Sequence, residues 1–136
     1  MDEKKRFIRS EDVETVQLDW GNLKWMNTPE MTGSEAFSAG LVVLQPGKGH
    51  ERHTHPDSEE ILYILSGEGE QTIADEKRSI GPGEMVYIPA GVEHSTMNDS
   101  WEPLRFLAIY GPPGPEEEIR NTAEATVFPP GEFPDS

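Results

Sequence analysis

Four residues in this chain have the types and spacing to hold a metal ion: His53, His55, Glu60 and His94. His53 and His55 are two apart, and side chains two apart on a strand point to the same side. Two imidazoles converging from one strand make half of a metal site. Pro56 ends that strand, residues 57–59 turn the chain, and Glu60 opens the returning strand beside the two histidines. His94 is distant in sequence and must be delivered by another strand, just past the tight turn at 89–91. Three imidazoles and one carboxylate suit one divalent transition ion. Mn, Fe, Co or Ni would keep open positions for water or substrate, and Zn or Cu would fit with lower coordination. Open positions are what metal-assisted catalysis requires.

The elements that must position these residues are short. Thirteen glycines and twelve prolines divide the chain into many brief segments, which disfavours a long helical bundle. Strands are predicted at 36–44, 50–55, 60–65, 70–74, 77–80, 85–88, 92–98 and 104–110, each bounded by Gly, Pro, Asp or Ser. Short strands at this spacing predict an antiparallel sandwich or barrel. Residues 1–35 read as an N-terminal arm, with outer-strand islands at 7–8, 13–18 and 23–26 and a loop at 28–34. Residues 36–112 form the barrel and 113–136 the tail, all within one domain. A short helix is predicted from Pro115 to about Ala125, because Pro followed by three Glu suits a helix N-terminus. From Phe128 to Ser136 the tail, rich in Pro and acidic residues, reads as extended or loosely held.

Two stretches carry a family resemblance. The first is Gly47, five residues, His53-Thr54-His55, four residues, Glu60, six residues, Gly67. The second is Gly83, five residues, Pro89-Ala90-Gly91, two residues, His94, three residues, Asn98. In type and spacing these resemble the two motifs of the cupin superfamily, of the compact single-domain microbial type, and the likeness extends over residues 36–112. The resemblance implies an all-β jelly-roll barrel, often dimeric, with His53, His55, Glu60 and His94 as metal ligands. It assigns Gly47, Gly67, Gly83, Pro89 and Gly91 to turns.

Other residues carry two readings each. Asn98 lies four residues from His94, so it either touches substrate or closes the strand with a structural hydrogen bond. Phe106, Ala108 and Tyr110 share one face of the last strand, and Arg105, Leu107 and Ile109 share the other. Phe106 and Tyr110 are expected to face the cavity and a substrate. Were Arg105 inward instead, it would anchor a carboxylate or phosphate. His50 and Glu59 fall on the face opposite the ligands by odd spacing, which makes them surface or interface residues. Glu51 shares the parity of His53, although a bulge would undo that argument. Trp20, Trp25 and Trp101 are core or dimer-contact anchors, or else line a ligand mouth.

The net charge of −15 disfavours nucleic acid and anionic membrane surfaces as partners. The absence of cysteine excludes disulfides, thiolate catalysis and Cys-type metal sites. No apolar run has transmembrane length and the first residues are charged, so a cytoplasmic protein is expected. The fold does not choose the reaction. The expected function is metal-dependent catalysis on a small oxygen-rich organic molecule, of oxygenase, decarboxylase, lyase or isomerase type, with no catalytic residue assigned beyond the metal ligands. The alternatives are a non-catalytic ligand-binding or sensor module and, third, a sugar-phosphate isomerase, which would need a phosphate clamp. The apolar faces of 36–44 and 61–65 exceed the needs of one small barrel interior, which predicts a homodimer.

Overall fold

The computed structural model describes residues 4–134; the outermost residues of the expected arm and tail lie outside them. A 3-10 turn at Ser10–Asp12 precedes ten strands and two short helices. In chain order these are β1 (Thr15–Leu18), β2 (Gly21–Asn27), α1 (Pro29–Thr32), β3 (Ser38–Leu44), β4 (Glu59–Ser66), β5 (Gly69–Ile73) and β6 (Glu76–Ile80). There follow β7 (Met85–Ile88), β8 (His94–Met97), β9 (Leu104–Gly111), α2 (Pro115–Arg120) and β10 (Thr126–Phe128). All pairings are antiparallel. A seven-stranded sheet runs β10-β1-β2-β3-β9-β4-β7, and a three-stranded sheet runs β6-β5-β8. Together they make an all-β jelly-roll barrel.

Alternation decides what faces inward. Val42 and Leu44 of β3, Leu62 and Ile64 of β4, Val86 and Ile88 of β7, and Leu104, Phe106 and Ala108 of β9 are buried in one cluster. Their strand neighbours Leu41, Val43, Tyr63, Met85 and Arg105 are half-buried or exposed. A strand with one face in a core and one in water writes this period-two pattern. Burying the side chains of the inward set removes apolar surface worth about 1.5–3 kcal/mol per large residue.

Three local expectations change. The segment at 28–34 is not a loop throughout: Thr28 caps α1 by accepting from the Met31 amide at 3.3 Å, Pro29 occupies the first turn, and Gly33 ends the helix at φ 80°. The tail helix is shorter than predicted, ending at Arg120 with Asn121 as its C-cap. A strand is also present where none was predicted: β10 pairs with β1 in the register Thr15↔Phe128 and Gln17↔Thr126. The arm and the tail therefore belong to the same sheet as the barrel strands.

The predicted strand at 50–55 is instead an irregular segment beside β8. It touches β8 through isolated bridges at Gly49↔Met97 and His53↔His94. From 49 to 53 is four steps, while from 97 to 94 is three, so the histidine segment carries one extra residue. That is the signature of a bulge, which interrupts alternation. Gly49 permits the close approach: a Cβ there would lie 2.5 Å from the Thr96 carbonyl oxygen and 2.9 Å from the Met97 Cα.

Candidate metal centre and cavity

The two sheets bring the four sequence-chosen residues together. His53 and His55 come from the irregular segment, His94 opens β8, and Glu60 sits near the start of β4, opposite Tyr110 of β9 and Ile88 of β7. Backbone bonds fix the histidine segment at both ends of the cluster. His53 and His94 exchange N–H···O bonds of 3.0 Å in each direction, and the Gly91 amide donates to the His55 carbonyl at 3.0 Å. The ring nitrogens of His53, His55 and His94 available to an ion lie within 4.8 Å of one another. The Glu60 Oε1 lies 3.2 Å from His94 Nε2 and 3.7 Å from His55 Nε2.

Two of the imidazoles have fixed tautomers. His53 Nδ1 donates to the Glu51 carbonyl at 2.8 Å and His94 Nδ1 donates to the Val92 carbonyl at 2.9 Å. A carbonyl only accepts, so the proton sits on Nδ1 and each Nε2 keeps its lone pair. A neutral imidazole held this way is the usual metal-ligating form. Among the described residues, both ring nitrogens of His55, the Nε2 of His94 and the Oε1 of Glu60 are buried without a hydrogen-bond partner. Glu60 approaches His94 closely, but not along a hydrogen-bonding direction. Orphaned polar atoms of this kind cost about 1–3 kcal/mol each when nothing satisfies them. A shared cation would satisfy one nitrogen of His55, the His94 Nε2 and the Glu60 Oε1, and the donor set of imidazole and carboxylate fits a divalent transition ion.

Burial sets the electrostatics. It pushes His55 down to about 4, with the imidazoles of His53 and His94 adding to the shift and Glu60 opposing it. Burial also lowers His53. It acts against protonation of His94 too, but Glu60 and the Val92 carbonyl outweigh it and raise that group. The Tyr110 phenol is pushed well above its ordinary range by burial and by the negative charge of Glu60, so it keeps its proton.

The cluster lies in a cavity of about 480 Å³. Phe106 and Tyr110 are on its wall, as expected, and Arg105 is exposed on the opposite face of β9. Asn98 is not on the wall. It is fully buried and spends both amide protons on the carbonyls of Leu44 (3.0 Å) and Glu102 (2.8 Å). Its oxygen accepts from the Ser100 amide and hydroxyl. The placement of Asn98 toward substrate is thus corrected, because all its hydrogen-bonding capacity goes into closing the loop after β8.

His50 is a second correction. It is half-buried and lines the cavity, with its ring 5.5 Å from that of His53 and 4.7 Å from that of Trp20, both edge-on. The extra residue between Gly49 and His53 cancels the odd spacing. Burial and then the three neighbouring imidazoles push His50 down to about 3. Glu51 also reaches the rim. Glu59 stays outside, where it accepts from the Tyr87 hydroxyl. The three tryptophans divide: Trp20 lines the mouth, Trp25 is in the core against Tyr110, and Trp101 is 94% exposed. Sequence reasoning missed the contribution of the tail, from which Ile119, Thr122 and Glu124 also line the cavity. The available signal was Ile119, the one large apolar residue of an otherwise polar helix.

A jelly-roll barrel that gathers three imidazoles and a carboxylate inside it defines the cupin class of protein. Residues 40–110 match the cupin domain model, and the chain belongs to that family. It is 26% identical over 114 residues to a polyketide synthase, CurC, of Streptomyces cyaneus, covering 84% of this chain and 74% of the relative. It is 43% identical over 83 residues to a glucose-6-phosphate isomerase of Thermococcus kodakarensis, covering 51% of this chain and 43% of the relative. It superposes on oxalate decarboxylase from Lactobacillus farciminis, in complex with formate, with a TM-score of 0.69 and 26% identity. That match covers 76% of this chain and 32% of the other. The chain thus spans less than half the length of the isomerase and the decarboxylase.

Among the described residues no helix is long and apolar enough to cross a membrane.

Proposed function

We propose that this cupin is a metal-dependent enzyme that holds one divalent transition ion through His53, His55, Glu60 and His94 and acts on a small oxygen-bearing organic molecule. The observation that carries the reading is the set of orphaned nitrogen and oxygen atoms, buried together and facing one another. When bound, the ion would polarise a carbonyl, enol or carboxylate oxygen of the substrate as a Lewis acid. The chain's own residues do the rest. The carbonyls of Glu51 and Val92 aim the rings of His53 and His94. Phe106 and the apolar wall keep water from the reacting end. Tyr110, kept protonated by burial and the Glu60 charge, can donate a hydrogen bond to a bound oxygen. The relatives support an enzyme, since all three carry enzyme names.

A binding or sensor module is the second reading. What favours it is that, apart from the four metal-facing residues, the inner cavity offers no paired acid and base. A sugar-phosphate isomerase ranks third, because no Lys or Arg lines the cavity among the described residues. The protein is further proposed to act as a homodimer through the outer face of β4 and β7, where Tyr63, Leu65, Met85 and Tyr87 are exposed together. A monomer in sedimentation at micromolar concentration would overturn that part.

Elemental analysis of the purified protein beside its His94→Ala variant tests the metal reading. About one equivalent of a transition metal is expected in the native protein, with the variant losing it. A native protein that holds no metal, and takes up none after chelation and refilling, would overturn it. Turnover by the loaded protein across a substrate panel separates the enzyme from the binding module.

A further inference from the structure

One histidine on the cavity wall has no task in holding the ion. His50 stands beside His53 and Trp20, with its ring edge-on to both. The extra residue between Gly49 and His53 turns it inward, and bulges that re-aim a side chain are common beside functional sites. Its backbone amide donates to the Thr96 carbonyl at 3.1 Å, which holds this part of the segment against β8. Its ring is not held in the same way. His53 and His94 spend their Nδ1 protons on backbone carbonyls. Among the described residues, neither ring nitrogen of His50 has a hydrogen-bond partner, and neither is sealed off. His50 also stays outside the group of His53, His55 and His94 nitrogens that lie within 4.8 Å of one another. It is therefore placed one step further out than the groups that would share an ion.

An oxygen bound at an open position of the ion is electron-rich, so a hydrogen-bond donor holds it best. The other polar groups of the cavity are committed, of the wrong kind or elsewhere. Thr96 donates to Gln71 at 2.6 Å and Thr122 donates to the Ile119 carbonyl at 3.0 Å. Asp19, Glu51 and Glu124 line the cavity with carboxylates, which only accept. Tyr110 is a donor, but it serves a different corner, with its ring 5.2 Å from that of His55 and its hydroxyl near Glu60. Burial and then the neighbouring imidazoles keep His50 neutral. A neutral imidazole always carries one N–H, and nothing in the protein takes this one.

We propose that His50 orients the ligand: its ring N–H hydrogen-bonds a metal-held oxygen on the His53 side of the cluster, so that a chelating ligand binds one way round. This rests on the metal-dependent reading above and deepens it by naming a residue that grips the ligand without holding the ion.

The test uses the full chain, stripped and refilled with Co²⁺, with cobalt content measured for every variant. The probe is acetohydroxamate, a small chelator with two adjacent oxygens, and its binding is read from the cobalt absorption bands. His50→Phe keeps a ring against Trp20 and removes the N–H. His50→Gln gives up the ring and keeps an N–H. Cobalt content is expected to be unchanged in both. Hydroxamate binding is expected to weaken roughly fivefold or more in His50→Phe, and by at most about twofold in His50→Gln. Should His50→Phe fail to fold, His50→Leu serves, with the same loss expected. Equal affinity in the native protein and His50→Phe would overturn the proposal, as would equal losses in the two variants or no hydroxamate binding by the cobalt-loaded native protein. Loss of cobalt from His50→Phe also overturns it, because His50 would then hold the ion itself. A native protein that takes up no cobalt overturns the metal reading, and this proposal with it.

Discussion

The two walls that bring the histidine cluster and Glu60 together are built differently. Glu60, Phe106 and Tyr110 stand on β4 and β9, whose ladder pairs residue for residue from Glu59↔Gly111 to Ile64↔Phe106. His50, His53 and His55 stand on a segment tied to β8 by two isolated bridges out of step by one residue. The first wall is a continuous piece of core. The second is held by a few backbone bonds and by a glycine that lets it lie close. Regular pairing gives stiffness and fixes which side chains face inward. The irregular segment gives up that regularity and gains a cluster of three histidines within six residues that all reach the cavity.

This contrast gives separable outcomes. The largest effect is expected from Phe106→Ala on the regular wall. Phe106 is 1% exposed, and removing a buried aromatic side chain costs about 3–5 kcal/mol. Denaturant unfolding should show the whole barrel weakened. A loss under about 1 kcal/mol would mean that the ladder does not carry the core.

Gly49→Ala strikes the irregular wall instead. Its new methyl would overlap the Thr96 carbonyl and the Met97 backbone, and overpacking of this kind costs about 1–3 kcal/mol. The expected signature is a modest stability loss with a disproportionate loss of metal affinity, at least about tenfold, because His53 and His55 move together. Unchanged metal affinity in a folded variant would show that the close approach at Gly49 does not position the histidines.

A smaller, pH-dependent effect belongs to the same wall in metal-free protein. His50 and His55 are held at about 3 and about 4 in the fold, below the 6.5 of the unfolded chain. Unfolded chains therefore bind protons that the folded protein refuses. Their contribution is fully present above about pH 6.5 and is lost as the pH falls toward about 4. His94 is raised and acts in the opposite sense. Thermal unfolding of the stripped protein should drop over that window, and less so in His50→Gln. A midpoint that does not change with acidification would contradict the burial of these rings.

How much the sequence revealed follows the same division. Where strands pair regularly, alternation put Phe106 and Tyr110 on one face of β9 and Arg105 on the other, although it did not say which face lines the cavity, and the turn after Pro56 put Glu60 on the returning strand. At His50 it failed, because one inserted residue inverts parity and nothing in the residue types marks the insertion. His53, His55 and His94 were legible through spacing and the motif resemblance, both of which tolerate a bulge. Asn98 was legible as a motif position with two open roles, and its partners, the carbonyls at 44 and 102, were not, since only tertiary folding sets them. The tail was least legible. A three-residue strand such as β10 is too short to show a period, and its partner β1 lies at the far end of the chain.

That last pairing bears on the order in which a ribosome makes the molecule. When residues 36–112 have emerged, the three histidines and Glu60 exist, but β1 still presents an open edge able to recruit another chain. The cavity at that moment also lacks the side supplied by Ile119, Thr122 and Glu124. Both gaps close only when β10 reaches β1. Edge protection and a finished binding chamber thus arrive in one late step, so a nascent or truncated chain lacking residues after 115 would be short of its chamber wall and sticky at its edge together.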